Sequence, residues 1–240
     1  MAVILIFTCL VTPYRIALIE VDKPGWMWLN YFIDFSFFVD MIFIFNSAYY
    51  DEEFNEIQDR KVIAKLYLKG WFTIDLFAIL PFDLMFGGGG LNQIVRITRI
   101  SKMYKLVKLT RLVRILKIFK ESNKMFKYME NYLNIGVGFQ RLLGFVLSFF
   151  MIIHIVSCLW IMTVQFNESS EGTWMEGDIF EMNPPEKYLT SIYFTVTTIT
   201  TVGYGDVTIS TKVEKIFCII TMLTGVIAFS FASGSLASIL

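Results

Sequence analysis

The sequence is poor in the residues that build metal, disulfide and acid–base sites. It holds one histidine and three cysteines in 240 residues. Cys9, Cys158 and Cys218 lie singly in apolar runs, with the spacing of neither a disulfide framework nor a metal site, and read as buried free thiols. His154 also sits in an apolar run, where it reads as a packing or interhelical hydrogen-bonding residue and not a pH sensor. No Ser/His/Asp or metal-ligand constellation can be assembled, so the expectation is a non-enzyme without a cofactor. Charge is scarce too, at 18% of residues against about 25% in soluble domains. Basic and acidic residues balance at 21 each, so the cationic excess that draws proteins to nucleic acid is missing.

What the chain has in abundance is apolar surface. It is 55% hydrophobic and 17% aromatic, with a mean hydropathy of +0.59, which points to a polytopic membrane protein in contact with lipid. A membrane span needs about 20 mostly apolar residues. Five stretches approach that: Ala2–Ile19, Trp26–Tyr49, Leu66–Phe86, Leu142–Phe166 and Val213–Leu240. A sixth, Asn92–Lys120, has the length but is full of positive charge. A seventh, Tyr188–Thr200, is too short to span and reads as a re-entrant helix. Met1–Leu10 lacks a charged leader and a small-residue cleavage site, so it reads as a true first span and not a signal peptide. The sequence starts inside one helix and stops inside another, which predicts an excerpt with cytosolic flanks.

With a cytosolic N-terminus, the inner loops carry Arg60, Lys61, Lys65 and Lys69, then Lys124, Lys127 and Arg141. The outer segments carry only Lys23, Lys187, Lys212 and Lys215, a modest positive-inside bias. Asn167-Glu168-Ser169 is a glycosylation sequon on the outer side, close to a helix end. Pro24-Gly25 marks the tight turn between the first two helices, and Gly87–Gly90 a break after the third.

Arg96, Arg99, Lys102, Lys105, Lys108, Arg111, Arg114, Lys117 and Lys120 recur at every third position. The residues between are mostly Ile, Leu, Val and Met. Three residues turn an α-helix by about 300°, so one seam is cationic and the rest apolar. An amphipathic surface helix would show a broad polar face instead. Cations at membrane depth cost several kcal/mol each unless acids or water compensate. Other spans supply acids: Asp34 and Asp40 in the second, Asp75 in the third, and Asp83 at its outer end. Asp34 and Asp40, six residues apart, stack along nearly one face at two depths. Phe37, one turn before Asp40, is placed to separate inner from outer water. Since one charge moved through 100 mV is worth about 2.3 kcal/mol, the stripe reads as a set of gating charges. The alternative is static salt bridging that only holds the bundle together.

After the short helix comes Thr201-Val202-Gly203-Tyr204-Gly205-Asp206. TVGYG is the filter whose carbonyl oxygens replace the hydration shell of potassium. Gly203 and Gly205 permit the dihedrals that point backbone oxygens inward. Potassium would be held at Thr201, Val202, Gly203 and Tyr204, with the Thr201 hydroxyl at the inner end and the Tyr204 ring bracing the loop. The C-terminal dipole end of the helix favours a cation beside it. One loop supplies a quarter of a ring, which implies a fourfold assembly, most simply a homotetramer. In the last helix, Gly225 and Gly234 are candidates for bending or close packing. Phe229 with Phe231, or Leu236 with Leu240, are candidates for the inner constriction.

These features resemble a voltage-gated potassium channel. Tyr67-Leu68-Lys69-Gly70-Trp71-Phe72-Thr73-Ile74-Asp75 and Ile79-Leu80-Pro81-Phe82-Asp83 resemble the third helix of the ether-à-go-go, hyperpolarisation-activated and cyclic nucleotide-gated superfamily. Val11-Thr12-Pro13-Tyr14 resembles the end of its first helix, and His154 with Cys158-Leu159-Trp160 its fifth. Phe37, Asp40 and Asp75 match the charge-transfer site of voltage sensors. The resemblance implies an all-α membrane protein of the cell membrane, with six transmembrane helices plus a re-entrant pore helix and selectivity filter. Residues 1–120 would form the voltage sensor, 121–141 a linker and 142–240 the pore domain. Members carry a cyclic-nucleotide-binding homology domain after the sixth helix; a cyclic nucleotide or regulatory protein would act on cytosolic regions outside this sequence. Hyperpolarisation-activated relatives have a cysteine before the inner hydrophobic filter residue and pass sodium, so Thr201 and Asp206 favour potassium selectivity. The long unbroken stripe is nonetheless more like those relatives, which leaves gating polarity open. The expected function is a voltage-gated, potassium-selective channel subunit. The alternatives are a hyperpolarisation-activated, weakly selective channel, a silent modulatory subunit, and a voltage-sensitive membrane enzyme, which would not need a filter.

Overall fold

The computed structural model describes residues 2–19, 24–47, 49–50, 56–57, 59–79, 112–113, 137–165, 167 and 172–237. The chain divides into two compact units. One comprises Met1–Cys9 and Val21–Glu121, the other Leu10–Glu20 and Ser122–Leu240. The division falls within α1 (Ala2–Leu18).

In the first unit, α2 (Pro24–Asn46) starts on a proline, whose missing N–H is no loss in the first helical turn. A two-residue antiparallel ladder follows, β1 (Tyr49–Tyr50) with β2 (Glu56–Ile57), in the register Tyr49 opposite Ile57. It is a small departure from the all-helical expectation. Next comes α3 (Arg60–Lys69), capped by the Asp59 side chain, which accepts from the Lys61 N–H at 2.9 Å. The chain turns at Gly70, whose N–H donates to the Leu66 and Tyr67 carbonyls at 3.1 Å each. Then α4 (Phe72–Ile79) begins. The third span expected from Leu66 onward is therefore corrected, because Gly70 and Trp71 separate two helices. The physical reason lies in the residues. Arg60, Lys61, Lys65 and Lys69 make α3 a surface-type helix, and glycine readily takes the non-helical φ −103°, ψ −107° that ends it. α2 packs against both α3 and α4.

The second unit is built on three helices that pack on one another: α5 (Val137–Gln165), α7 (Pro184–Ile199) and α8 (Lys212–Ala237). The single turn α6 (Asp178–Glu181) lies between α5 and α7. The windows Pro24–Asn46, Leu142–Gln165 and Lys212–Phe231 are long and apolar enough to cross a membrane. α7 has 16 residues, or roughly 24 Å, too short for a hydrocarbon core of about 30 Å. It begins at Pro184, four residues before the re-entrant helix expected at Tyr188. Asn183 caps it, and the Glu186 carboxylate accepts from the Asn183 N–H at 3.2 Å.

Trp160 on α5 is the packing centre of this unit, with 0% of its surface exposed. Its ring stacks on Phe194 of α7 at 4.4 Å, on Trp174 at 5.5 Å and on Phe217 of α8 at 5.7 Å. Ser191 on α7 adds a hydrogen bond to the Ser157 carbonyl of α5 at 2.7 Å. His154 of α5 and Tyr188 of α7 share one of 2.6 Å, while Tyr14 meets the Tyr188 ring edge-on at 5.1 Å. These contacts set α7 rigidly against α5. Trp160→Ala should lower stability by about 3–5 kcal/mol. Thermal unfolding of the purified protein in detergent would register this as a large fall in midpoint; a change under about 0.5 kcal/mol would refute the central role.

Candidate functional site

The helix α7 ends at Ile199, which is fully buried, and Val202–Asp206 then run as a strand-like segment with no assigned secondary structure. Its inner end is tied to the helix it leaves. The Val202 and Gly203 N–H groups both donate to the Thr197 carbonyl, at 2.9 and 3.1 Å, and Thr201 N–H donates to Thr198 at 3.2 Å. Positive φ recurs at every second residue: Thr201 at 63°, Gly203 at 56° and Gly205 at 75°. Thr201 is a β-branched residue in the left-handed region, a strain of order 1–3 kcal/mol of the kind concentrated at functional sites. Alternating hand along a strand turns successive carbonyls toward one side, which is what a ladder of cation ligands needs.

All of Thr201–Asp206 is exposed on the single chain, with Val202 at 53% and Tyr204 at 71%. The Tyr204 ring lies parallel to Tyr193 of α7, 6.4 Å away and 3° from coplanar orientation. The Asp206 side chain lies close enough to Tyr193 to act on it electrostatically. Beyond the strand, Glu214 in the first turn of α8 has 0% exposure. Its carboxylate accepts from Ser210 N–H at 3.1 Å, Thr211 N–H at 3.0 Å and Trp174 N–H at 3.0 Å. Neither Tyr193 nor Glu214 was among the residues picked out from the sequence. A signal for Glu214 was present, because Thr211-Lys212-Val213-Glu214 has the spacing of a capping box.

The gate and hinge candidates are distributed along α8. A Cβ on Gly225 would stand 2.9 Å from the Ile199 Cα and 3.2 Å from its carbonyl oxygen, so the helix passes directly over the end of α7. Gly225 is thus a close-approach position. Gly234 has open space around it. Phe229 and Phe231 are exposed. Leu236 belongs to α8, with its side chain outside the described residues, as is Leu240.

In the first unit the acidic residues gather around Tyr67 of α3. Its hydroxyl donates to the Asp75 carboxylate of α4, and Asp40 of α2 lies close enough to act on it electrostatically. Asp75 is 2% exposed, and Phe37, one turn before Asp40, is buried. The Tyr67 ring is fixed edge-on by Phe45 at 4.9 Å and Phe72 at 5.8 Å. Asp34 is half-buried, six residues or about 9 Å earlier on α2. Tyr67 appeared in the sequence only as part of a motif, with no role given to it. The basic residues from Arg96 to Lys120, together with Asp83, lie outside the described residues.

The site is thus a short helix followed by a segment with left-handed dihedrals at every second residue. The family profile described as ion transport protein matches residues 1–239, and the chain belongs to that family. It is 27% identical to the voltage-gated inwardly rectifying potassium channel KCNH2 of Oryctolagus cuniculus, across 99% of this chain and 21% of the relative. It is 28% identical to the potassium voltage-gated channel unc-103 of Caenorhabditis elegans, across 87% of this chain and 26% of the relative. It is 25% identical to the voltage-gated delayed rectifier potassium channel KCNH1 of Rattus norvegicus, across 97% and 26% respectively. The chain thus spans about a quarter or less of the length of these relatives. It is a multi-pass protein of the cell membrane, similar to voltage-gated potassium channels of the ether-à-go-go group.

Two substitutions in α8 separate packing from bending. Gly225→Ala drives a methyl group into backbone and should cost about 1–3 kcal/mol. Gly234→Ala meets nothing and should be neutral or slightly stabilising. Thermal unfolding of both variants checks this, and an unaffected Gly225→Ala would contradict the close approach.

Proposed function

We propose that the chain is the membrane part of a voltage-gated, potassium-selective channel subunit, acting by permeation and not by catalysis. The observation that carries this reading is the strand Thr201–Asp206, with its TVGYGD sequence and left-handed φ at 201, 203 and 205. In this reading the carbonyls of Thr201, Val202, Gly203 and Tyr204 coordinate potassium in place of water. A ring of four such strands closes the site. The exposure of Thr201–Asp206 on one chain supports that fourfold assembly, and a homotetramer is the simplest form of it.

Residues 1–120 act as voltage sensor, 121–141 as linker and 142–240 as pore, with six spans in all. Arg96 through Lys120 carry the gating charge, and Asp34, Phe37, Asp40 and Asp75 are their partners. The convergence of Asp40 and Asp75 on Tyr67, with Phe37 buried one turn before Asp40, supports a charge-transfer role for this group. Each cation crossing 100 mV contributes about 2.3 kcal/mol, so a few per subunit supply the energy to open a pore. A second reading, a hyperpolarisation-activated and weakly selective channel, is favoured by the unbroken basic stripe.

The test is to express the full-length protein and step the membrane voltage in both directions, in potassium and then in sodium. Potassium-selective current is expected; comparable sodium current would favour the second reading. No current from the protein alone at the cell surface would favour a silent subunit. Gly203→Ala should abolish potassium current while gating charge still moves, since alanine resists φ near +56°. Asp40→Asn should shift the voltage of half-activation by tens of millivolts, and an unmoved curve would remove Asp40 from the sensor.

A further inference from the structure

The strand Thr201–Asp206 is held at its inner end by the Thr197 carbonyl. Its outer end continues through Val207 to Thr211 without secondary structure. Backbone of this kind keeps one conformation only where something outside it satisfies its polar groups. Here the Asp206 carboxylate accepts from the Val207 N–H at 3.1 Å, and one side chain from outside the segment serves its far end. The Glu214 carboxylate takes the Ser210 and Thr211 N–H groups on Oε2 and the Trp174 N–H on Oε1.

The Thr211 bond, with the return bond from Glu214 N–H to the Thr211 hydroxyl at 3.3 Å, is an ordinary capping box at the start of α8. The other two bonds exceed what a cap requires. One reaches back along the strand toward Asp206. The other crosses 40 residues to Trp174, whose ring stacks on Trp160 and whose Nε1–H donates to the Trp160 carbonyl at 3.4 Å. Trp160 in turn stacks on Phe194 of α7. The outer end of the strand is thereby referred, through one fully buried carboxylate, to the same aromatic core that positions the inner end.

We propose that Glu214 is a positioning residue for the filter: it holds the outer end of the Thr201–Asp206 strand in register with α7, and its loss lets the filter relax into a non-conducting form. This rests on the pore reading above. Carbonyl dipoles aimed at one axis repel one another unless a cation stands between them. A strand without its outer anchor depends more on the ion it holds, so relaxation should be opposed by external potassium.

The test uses the full-length channel at the cell surface. Glu214→Ala should speed the slow decay of current during a sustained step at least tenfold in low external potassium. Glu214→Gln, which keeps the shape and one carbonyl oxygen, should show a smaller acceleration. Raising external potassium should slow both decays toward wild type, while the midpoint of gating-charge movement stays in place. Ser210→Pro removes one donor and leaves α8 untouched; it should give the same potassium-sensitive acceleration, and it carries the test if Glu214 variants do not reach the surface. A capping role alone would reduce the number of channels at the surface without altering decay or its potassium dependence, and that result would overturn the proposal. Wild-type protein that passes no potassium current would overturn the pore reading and this proposal with it. Wild-type current with unaltered decay in the variants would overturn this proposal alone.

Discussion

Between Val202 and Ser210 the chain forms neither helix nor ladder, yet it lies between two apolar helices that pack on each other. Peptide groups in lipid cannot be left without partners, at a cost of several kcal/mol each. Much of the second unit can be understood as an answer to that constraint. Thr197 accepts two N–H groups at one end of the loop, and Glu214 accepts two at the other. Gly225 lets α8 approach to where a methyl group would touch the Ile199 backbone, so the base of the loop has protein behind it. Under the proposed function, the carbonyls left over are the ones available to a cation.

The same economy shapes the aromatic centre. Trp160 has no exposed surface and stacks on rings from α7, α8 and the segment before α6. Flat rings in contact resist sliding less than they resist separation, and the Ser191–Ser157 and His154–Tyr188 hydrogen bonds supply directional fixing between α5 and α7. Under the proposed function, a filter whose ligands must stay closely placed needs both.

The first unit handles charge where the second handles backbone. Asp75 is buried, and it keeps a hydrogen bond from Tyr67, whose ring is held by Phe45 and Phe72. A carboxylate placed in this way is pre-oriented and partly satisfied, which lowers the cost of its burial; under the proposed function this suits it to receive a passing cation. Tyr67 belongs to α3 and Asp75 to α4, so the turn at Gly70 is what brings them together.

Local, repetitive features were legible in the sequence. Apolar length marked α2, α5 and α8 to within a few residues, because a span must match the bilayer whatever it packs on. The glycines of the TVGYGD run marked where left-handed dihedrals fall, at Gly203 and Gly205, since glycine accepts them without strain. Hydropathy could not show that the third apolar stretch is broken, because Gly70 within a greasy run is compatible with a continuous helix until the capping bonds are known. Nor could spacing reveal that Glu214 serves Trp174, or that Gly225 is a point of close approach to Ile199. Those roles depend on pairs 40 and 26 residues apart in the sequence, Trp174 with Glu214 and Ile199 with Gly225. Periodicity and motif record what a residue demands of its neighbours along the chain. Which distant group meets that demand was decided only when α5, α7 and α8 packed together.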